Sequence, residues 1–206
     1  MPRFLSLDGL DGTGKSTQCR LLCDWLRGQG HAVTACVDPG GSALGERLRE
    51  ILLHHRGKME PSAEALLFMA SRAQLVGEII RPALTKGHIV VSDRYLLANV
   101  VYQGHAGGLD VDLLWQAGRL STGGLEPDLT LVLDLSPEQA RSRRGRPADR
   151  MERRGEEYHA RVRAGFLAEA RRRPERIRVV DAGGKIEAVQ DAIRREVAPL
   201  LTTECH

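Results

Sequence analysis

Residues 9–16 read Gly-Leu-Asp-Gly-Thr-Gly-Lys-Ser. The three glycines let backbone N–H groups turn inward without Cβ clashes, which is what a loop must do to surround a phosphate. Gly9, Gly14, Lys15 and Ser16 fit the spacing G-x-x-x-x-G-K-[ST], with Leu10, Asp11, Gly12 and Thr13 as its interior and Thr17 just beyond. In such a loop Lys15 supplies a point charge for the β- and γ-phosphates and Ser16 offers a hydroxyl to Mg2+. The positive end of the following helix faces the same anion. The competing reading is a glycine-rich turn with an incidental lysine. Context argues against it, because an apolar run (3–8) reads as a buried strand before the loop and a helix reads from about Lys15 to Arg27 after it. The expectation is a nucleoside triphosphate site that uses ATP and Mg2+.

Two further groups of residues carry chemistry. "VVSDRY" (90–95) ends a strand in Asp93-Arg94-Tyr95. An acid there suits the Mg2+ hydration shell, making Asp93 a second expected metal ligand beside Ser16, and the neighbouring Arg94 suits a second phosphate. A surface Asp–Arg pair is the plainer alternative. Seven arginines then fall between Arg141 and Arg154. They read as a solvated basic face, a nucleic-acid patch, or a lid over the nucleotide. No aromatic residues are interleaved with them, which weakens the nucleic-acid reading. Phosphoryl transfer gains most from positive charge around the moving group, which favours the lid.

The elements that must position these groups alternate in type. "HAVTACVD" (31–38) reads as a second strand, closed by the turn "PGGS". Leu44, Leu48, Ile51 and Leu52 recur at helical spacing over 43–55. Residues 61–87 read as one long helix with a capping-box-like Ser62, a kink at Pro82 and a stop at Gly87. Strands follow at 88–93, 128–135 and 176–181, a helix starts at Ser136-Pro137, and a last helix lies near 185–200. Four strands are continuous apolar runs, as expected of parallel strands covered on both faces. The pattern predicts one α/β domain over residues 1–206, with a parallel sheet of about five strands. Two excursions leave it, at 104–109 and 141–154.

Bulk composition adds limits. The chain has 206 residues, 42% hydrophobic and 28% charged, with a net charge of +3, ordinary for a globular protein. No run approaches a membrane span and no secretory signal is visible, so the expectation is a cytoplasmic protein without membrane or nucleic-acid partners. Cys19 and Cys23 stand at i, i+4, but no second pair completes a metal site; they read as buried free thiols.

Over nearly its whole length the sequence resembles the thymidylate kinases (dTMP kinases). The resemblance rests on "FLSLDGLDGTGKSTQ" (4–18), "DPGGS" (38–42), "LLFMASRAQLV" (66–76), "VVSDRY" (90–95), "VYQG" (101–104), "PDLTLVLDL" (127–135), "DRME" (149–152) and "VVDA" (179–182). It implies a P-loop nucleoside monophosphate kinase fold with a mobile lid near 141–154. It implies transfer of the γ-phosphoryl of ATP to dTMP, giving dTDP, by a homodimer. It also implies roles. Phe68 stacks on thymine, Arg72 bonds its O4, Arg94 holds the acceptor phosphate, and Asn99 touches the base edge. Tyr102 lies under the deoxyribose, Pro39 shapes the pocket, and Asp11 approaches the 3′-hydroxyl or the Mg2+ site. Core packing is the rival reading for Phe68 and Tyr102. Some members carry a loop arginine and others a lid arginine. The loop here has none, so Arg146 and Arg150 are the expected catalytic lid residues beside Lys15, with Arg141 near the adenine. The chain departs from the usual pattern at Val37, Asp38, Ala98 and Gly107, which bears on acceptor binding.

Two alternatives accompany this expectation. One is a nucleotide-binding module that has lost catalysis and acts as a regulatory subunit. The other is a kinase for a different nucleoside monophosphate or a deoxynucleoside.

Overall fold

The computed structural model describes residues 3–143, 150–151 and 153–202. Its centre is a five-stranded parallel sheet: β1 (Arg3–Gly9), β2 (Val33–Val37), β3 (Ile89–Asp93), β4 (Leu129–Asp134) and β5 (Ile177–Asp181), in the order β2-β3-β1-β4-β5. The apolar runs are buried as their composition demands. Phe4, Leu5, Leu7, Val90, Val91, Leu131 and Val132 are all at most 1% exposed. The register pairs Leu7 with Asp93 and Gly9 with Leu133, so the ends of β1, β3 and β4 meet along one edge. With β1 central and its successor β2 displaced beyond β3, that edge is the switch point where such sheets bind ligands.

Helix α1 (Lys15–Gly28) starts directly from the loop after β1, and its buried face carries Cys19, Leu22, Cys23 and Leu26. Helix α2 (Ala43–His54) is capped by Ser42, whose side chain accepts from the Gly45 N–H. The long helix expected over 61–87 is three pieces. Helix α3 (Pro61–Leu75) passes into a π-helical turn at Val76–Ile80 and then into α4 (Arg81–Thr85). The interruption therefore lies ahead of Pro82, whose ring sits in the first turn of α4, where a missing N–H is tolerated. Ser62 makes no cap. The chain enters α3 through Glu60 with Pro61 at the first position. A reciprocal capping box occurs instead at Ser136 and Gln139, opening α7 (Pro137–Ser142).

After β3, α5 (Leu96–Asn99) runs into a second π-helical turn at Val100–His105. The excursion at 104–109 therefore begins inside a helix. Two helices were not expected: α6 (Val111–Thr122) and α8 (Glu156–Arg172). Helix α6 is capped by Asp110 and ended by Gly123 in the left-handed conformation. Helix α8 buries Tyr158, Val162 and Phe166, and α9 (Ile186–Thr202) completes the described elements.

Candidate active site

The loop between β1 and α1 holds Gly9, Gly12 and Gly14 at positive φ (136°, 96° and 92°), which L side chains rarely adopt. At Gly9 a Cβ would also stand 2.5 Å from the Leu133 carbonyl oxygen of β4. The Leu10 carbonyl gathers the loop: it accepts from the Thr13 hydroxyl at 2.9 Å and from Lys15 Nζ at 2.7 Å. Lys15 is 6% exposed and lies 3.6 Å from Asp11. Burial, then the Arg94 charge, pull its pKa below the usual lysine value. An anion at the loop would restore the charge balance.

Ser16 and Asp93 meet as the sequence anticipates, the hydroxyl donating to Asp93 Oδ2 at 2.5 Å. Both are oxygen donors of the hard kind that Mg2+ selects. Among the described residues no cluster of three or more His, Cys, Asp or Glu forms a metal cage. Two protein oxygens agree with an ion that keeps most of its shell as water and phosphate.

Arg94 is the one non-glycine residue at positive φ (70°) among the described residues. Its N–H donates to the Leu7 carbonyl at 2.9 Å and its own carbonyl accepts from Ser92 Oγ at 2.6 Å, which fixes the strained backbone. The guanidinium donates to the Gly9 carbonyl at 3.0 Å and to Asp11 Oδ1 at 2.6 Å, and lies over the Tyr102 ring. Arg94 thus bridges the phosphate loop and the acceptor side.

On that side the Asp38–Pro39 peptide is cis and Arg49 donates to the Pro39 carbonyl at 2.6 Å. Arg72, 1% exposed, donates through Nε to Asp38 Oδ2 at 2.6 Å and through Nη1 to Asn99 Oδ1 at 3.1 Å. Asp38 supplies the carboxylate that holds Arg72. Phe68 is half-buried and Tyr102 is 6% exposed, its ring against Phe166 and Tyr158.

One cleft of about 550 Å³ joins the two sides. Its lining includes Asp11, Gly12, Gly14, Lys15, Ser16, Thr17 and Asp93 from the loop side. Pro39, Phe68, Arg72, Arg94, Asn99 and Tyr102 come from the other. Gly9, Leu10 and Thr13 shape the loop from behind without lining the cleft.

The arginine-rich stretch divides differently from expectation. Arg141 pairs with Glu156 at 2.5 Å and is absent from the lining, whereas Arg143 lines the cleft and donates to the Ala182 and Gly183 carbonyls at 2.7 and 3.0 Å. Arg141 lies within α7 and turns toward α8; Arg143, at the helix end, crosses to the loop after β5. Arg150 is held outside the cleft, by Glu64 at 2.6 Å and by the Leu52 carbonyl at 2.8 Å. Arg146 lies outside the described residues.

Sequence reasoning gave no role to Asp8, Arg49, Glu64 or Gln103, and counted Arg143 in the lid cluster without singling it out. Asp8 is 0% exposed, and neither carboxylate oxygen has a hydrogen-bond partner among the described residues. Burial raises its pKa to about 7, partly opposed by Arg94 and Lys15. A lone acid inside an apolar strand was the available signal.

Comparison with known proteins agrees with this geometry. The family model described as Thymidylate kinase matches residues 7–193. A thymidylate kinase of Symbiobacterium thermophilum is 48% identical over 204 residues, covering 98% of this chain and 95% of that protein. One from Rhodopirellula baltica is 48% identical over 191 residues, 93% of this chain and 78% of that protein. The crystal structure of thymidylate kinase from Ehrlichia chaffeensis superposes with a TM-score of 0.78 at 28% identity, covering 95% of this chain and 98% of the other.

Proposed function

The chain belongs to the thymidylate kinase family, and on that premise we propose that it transfers the γ-phosphoryl of ATP to dTMP, giving dTDP and ADP. The observation that carries the reading is one cleft in which the phosphate loop and the Phe68–Arg72–Asn99 side share Arg94. ATP phosphates would lie in the loop against Lys15, and Ser16 and Asp93 would hold Mg2+, which would supply charge neutralisation for the transfer. The dTMP phosphate lies against Arg94, and the base reaches Phe68, Arg72 and Asn99. Asp11 holds Arg94 at the junction, and Arg143, rather than Arg141, faces the donor nucleotide. Arg146 remains the lid residue assigned to the transferred group, and Arg150 in this conformation is an anchor.

Catalysis is then positioning plus electrostatics, as phosphoryl transfer requires. A coupled assay with ATP, Mg2+ and a panel of nucleoside monophosphates tests it. dTMP is expected to be the best acceptor; UMP, CMP or AMP turning over equally well overturns it. An assay without Mg2+ tests the metal. We also assign a homodimer: α3 and α6 pack together and leave Leu66, Leu113 and Leu120 61%, 62% and 86% exposed. Light scattering of the purified protein decides this. No described helix is long and apolar enough to cross a membrane. The cytoplasm is the assigned compartment.

A further inference from the structure

Glu64 does not line the cleft, yet its carboxylate is 1% exposed and fully engaged. Oε1 accepts from Gln103 Nε2 at 2.8 Å and from Arg154 Nη2 at 3.0 Å. Oε2 accepts from Arg154 at 2.8 Å and from Arg150 at 2.6 Å. A chain of hydrogen bonds leaves this carboxylate toward the cleft. Gln103 Oε1 accepts from Asn99 Nδ2 at 2.8 Å, and Asn99 Oδ1 accepts from Arg72 Nη1 at 3.1 Å. Gln103, Asn99 and Arg72 all line the cleft.

The two ends of this chain fix its direction. A carboxylate only accepts and a guanidinium only donates. Gln103 must therefore turn its NH2 to Glu64 and its oxygen to Asn99, and Asn99 must turn its NH2 to Gln103 and its oxygen to Arg72. Neither amide can flip without setting donor against donor or acceptor against acceptor in a buried site. The pattern of donors and acceptors shown to a base is thereby set from outside the pocket.

We propose that Glu64 is a positioning residue that determines base selectivity, by locking the Gln103 amide in the orientation suited to thymine. This rests on the dTMP reading above. Thymine offers a carbonyl at position 4 where cytosine offers an amino group, so a pocket of fixed direction separates the two. Glu64→Gln keeps shape but replaces one acceptor by a donor. Two arginines compete for the remaining oxygen, so the new NH2 faces the NH2 of Gln103. Relief requires Gln103 to turn round, which carries the mismatch to Asn99 and into the cleft.

The test is the ratio of kcat/KM for dTMP over dCMP in the wild type, Glu64→Gln and Arg154→Lys, each checked for folding by circular dichroism. Glu64→Gln should lower the ratio about tenfold, within the range usual for coupled sites. Arg154→Lys loosens the same cluster but leaves Gln103 its carboxylate, and should keep the ratio. A folded Glu64→Gln protein with an unchanged ratio overturns the inference, as does an equal fall in Arg154→Lys. A wild type that accepts dCMP as readily as dTMP removes the underlying reading instead. Should Glu64→Gln fail to fold, the wild type decides by NMR. The Gln103 side-chain amide protons should exchange at least roughly tenfold slower than those of exposed Gln29, and equal exchange overturns the inference.

Discussion

The phosphate loop and the acceptor side of the cleft are built on opposite principles. The loop is backbone: eight consecutive residues, three glycines at positive φ, and the Leu10 carbonyl that tethers both Thr13 and Lys15. The acceptor side is side chains: Asp38, Arg72, Asn99, Gln103 and Glu64, drawn from separate segments into one buried hydrogen-bonded chain. A phosphate is the same anion in every nucleotide, so generic N–H groups suffice. A base must be told from other bases, which takes directional groups whose orientation is enforced.

The sharpest break of this contrast falls on the loop's one cation, Lys15. Lys15→Ala should cost roughly 10²–10³ in kcat, the usual worth of a preorganised electrostatic contact, while circular dichroism shows an intact fold. Near-normal turnover would mean that the backbone alone carries the phosphates. Asp8, behind the same loop, should act on stability. Its folded pKa is raised from 3.8 to about 7, with Arg94, Lys15, Asp93 and Asp38 as its charged neighbours. Between those values the folded state binds more protons at Asp8 than the unfolded, so the contribution of Asp8 to stability is fullest below pH 4 and is lost as pH rises to 7. Asp8→Asn should therefore stabilise the unliganded protein at pH 8 by on the order of 2–4 kcal/mol, with the gain shrinking toward pH 4. Urea melts at the two pH values measure it, and a pH-independent difference refutes it.

Gly9→Ala tests the backbone principle directly. The substitution puts a Cβ 2.5 Å from the Leu133 carbonyl oxygen at a φ of 136°. A loss of about 1–3 kcal/mol is expected in thermal melts, with a raised KM for ATP. On the acceptor side, Tyr102→Ala should lower the preference for dTMP over its ribo counterpart. The smallest effect belongs to Tyr102→Phe. The phenol oxygen meets Arg94 at only 3.4 Å, so kcat/KM should change less than about twofold. A tenfold change would show that the hydroxyl, and not the ring, matters.

The same contrast decides what could be read from the sequence. The loop was legible because backbone geometry demands glycine at fixed positions, and the sheet because buried parallel strands must be apolar throughout. Glu64 and Gln103 were not, since their partners stand 39 residues apart and neither type is unusual on a helix. Helix α6 carried a signal, with Leu114, Trp115 and Gly118 on its buried side, but Gly107 and Gly108 just before it drew attention to a loop. Helix α8 buries only Tyr158, Val162 and Phe166 as large apolar side chains amid many charges, too narrow a stripe for its length. Arg141 and Arg143 could not be ranked without knowing where α7 ends.

The π-helical turn at Val76–Ile80 has a bearing on how this chain tolerates change in its length. One residue added to or removed from an α-helix rotates everything beyond it by about 100°, which would swing the following segment off its neighbours. A π turn is an α-helix that has absorbed one extra residue locally. Arg72 before it keeps its place in the cleft, and Arg81 after it still reaches the Thr122 and Gly123 carbonyls. Gly77 within it is exposed, with nothing within 4 Å of where a Cβ would stand. Deleting Gly77 should simply convert the turn to α-helix, so this is a place where a lineage can gain or lose a codon inside a helix without disturbing either end.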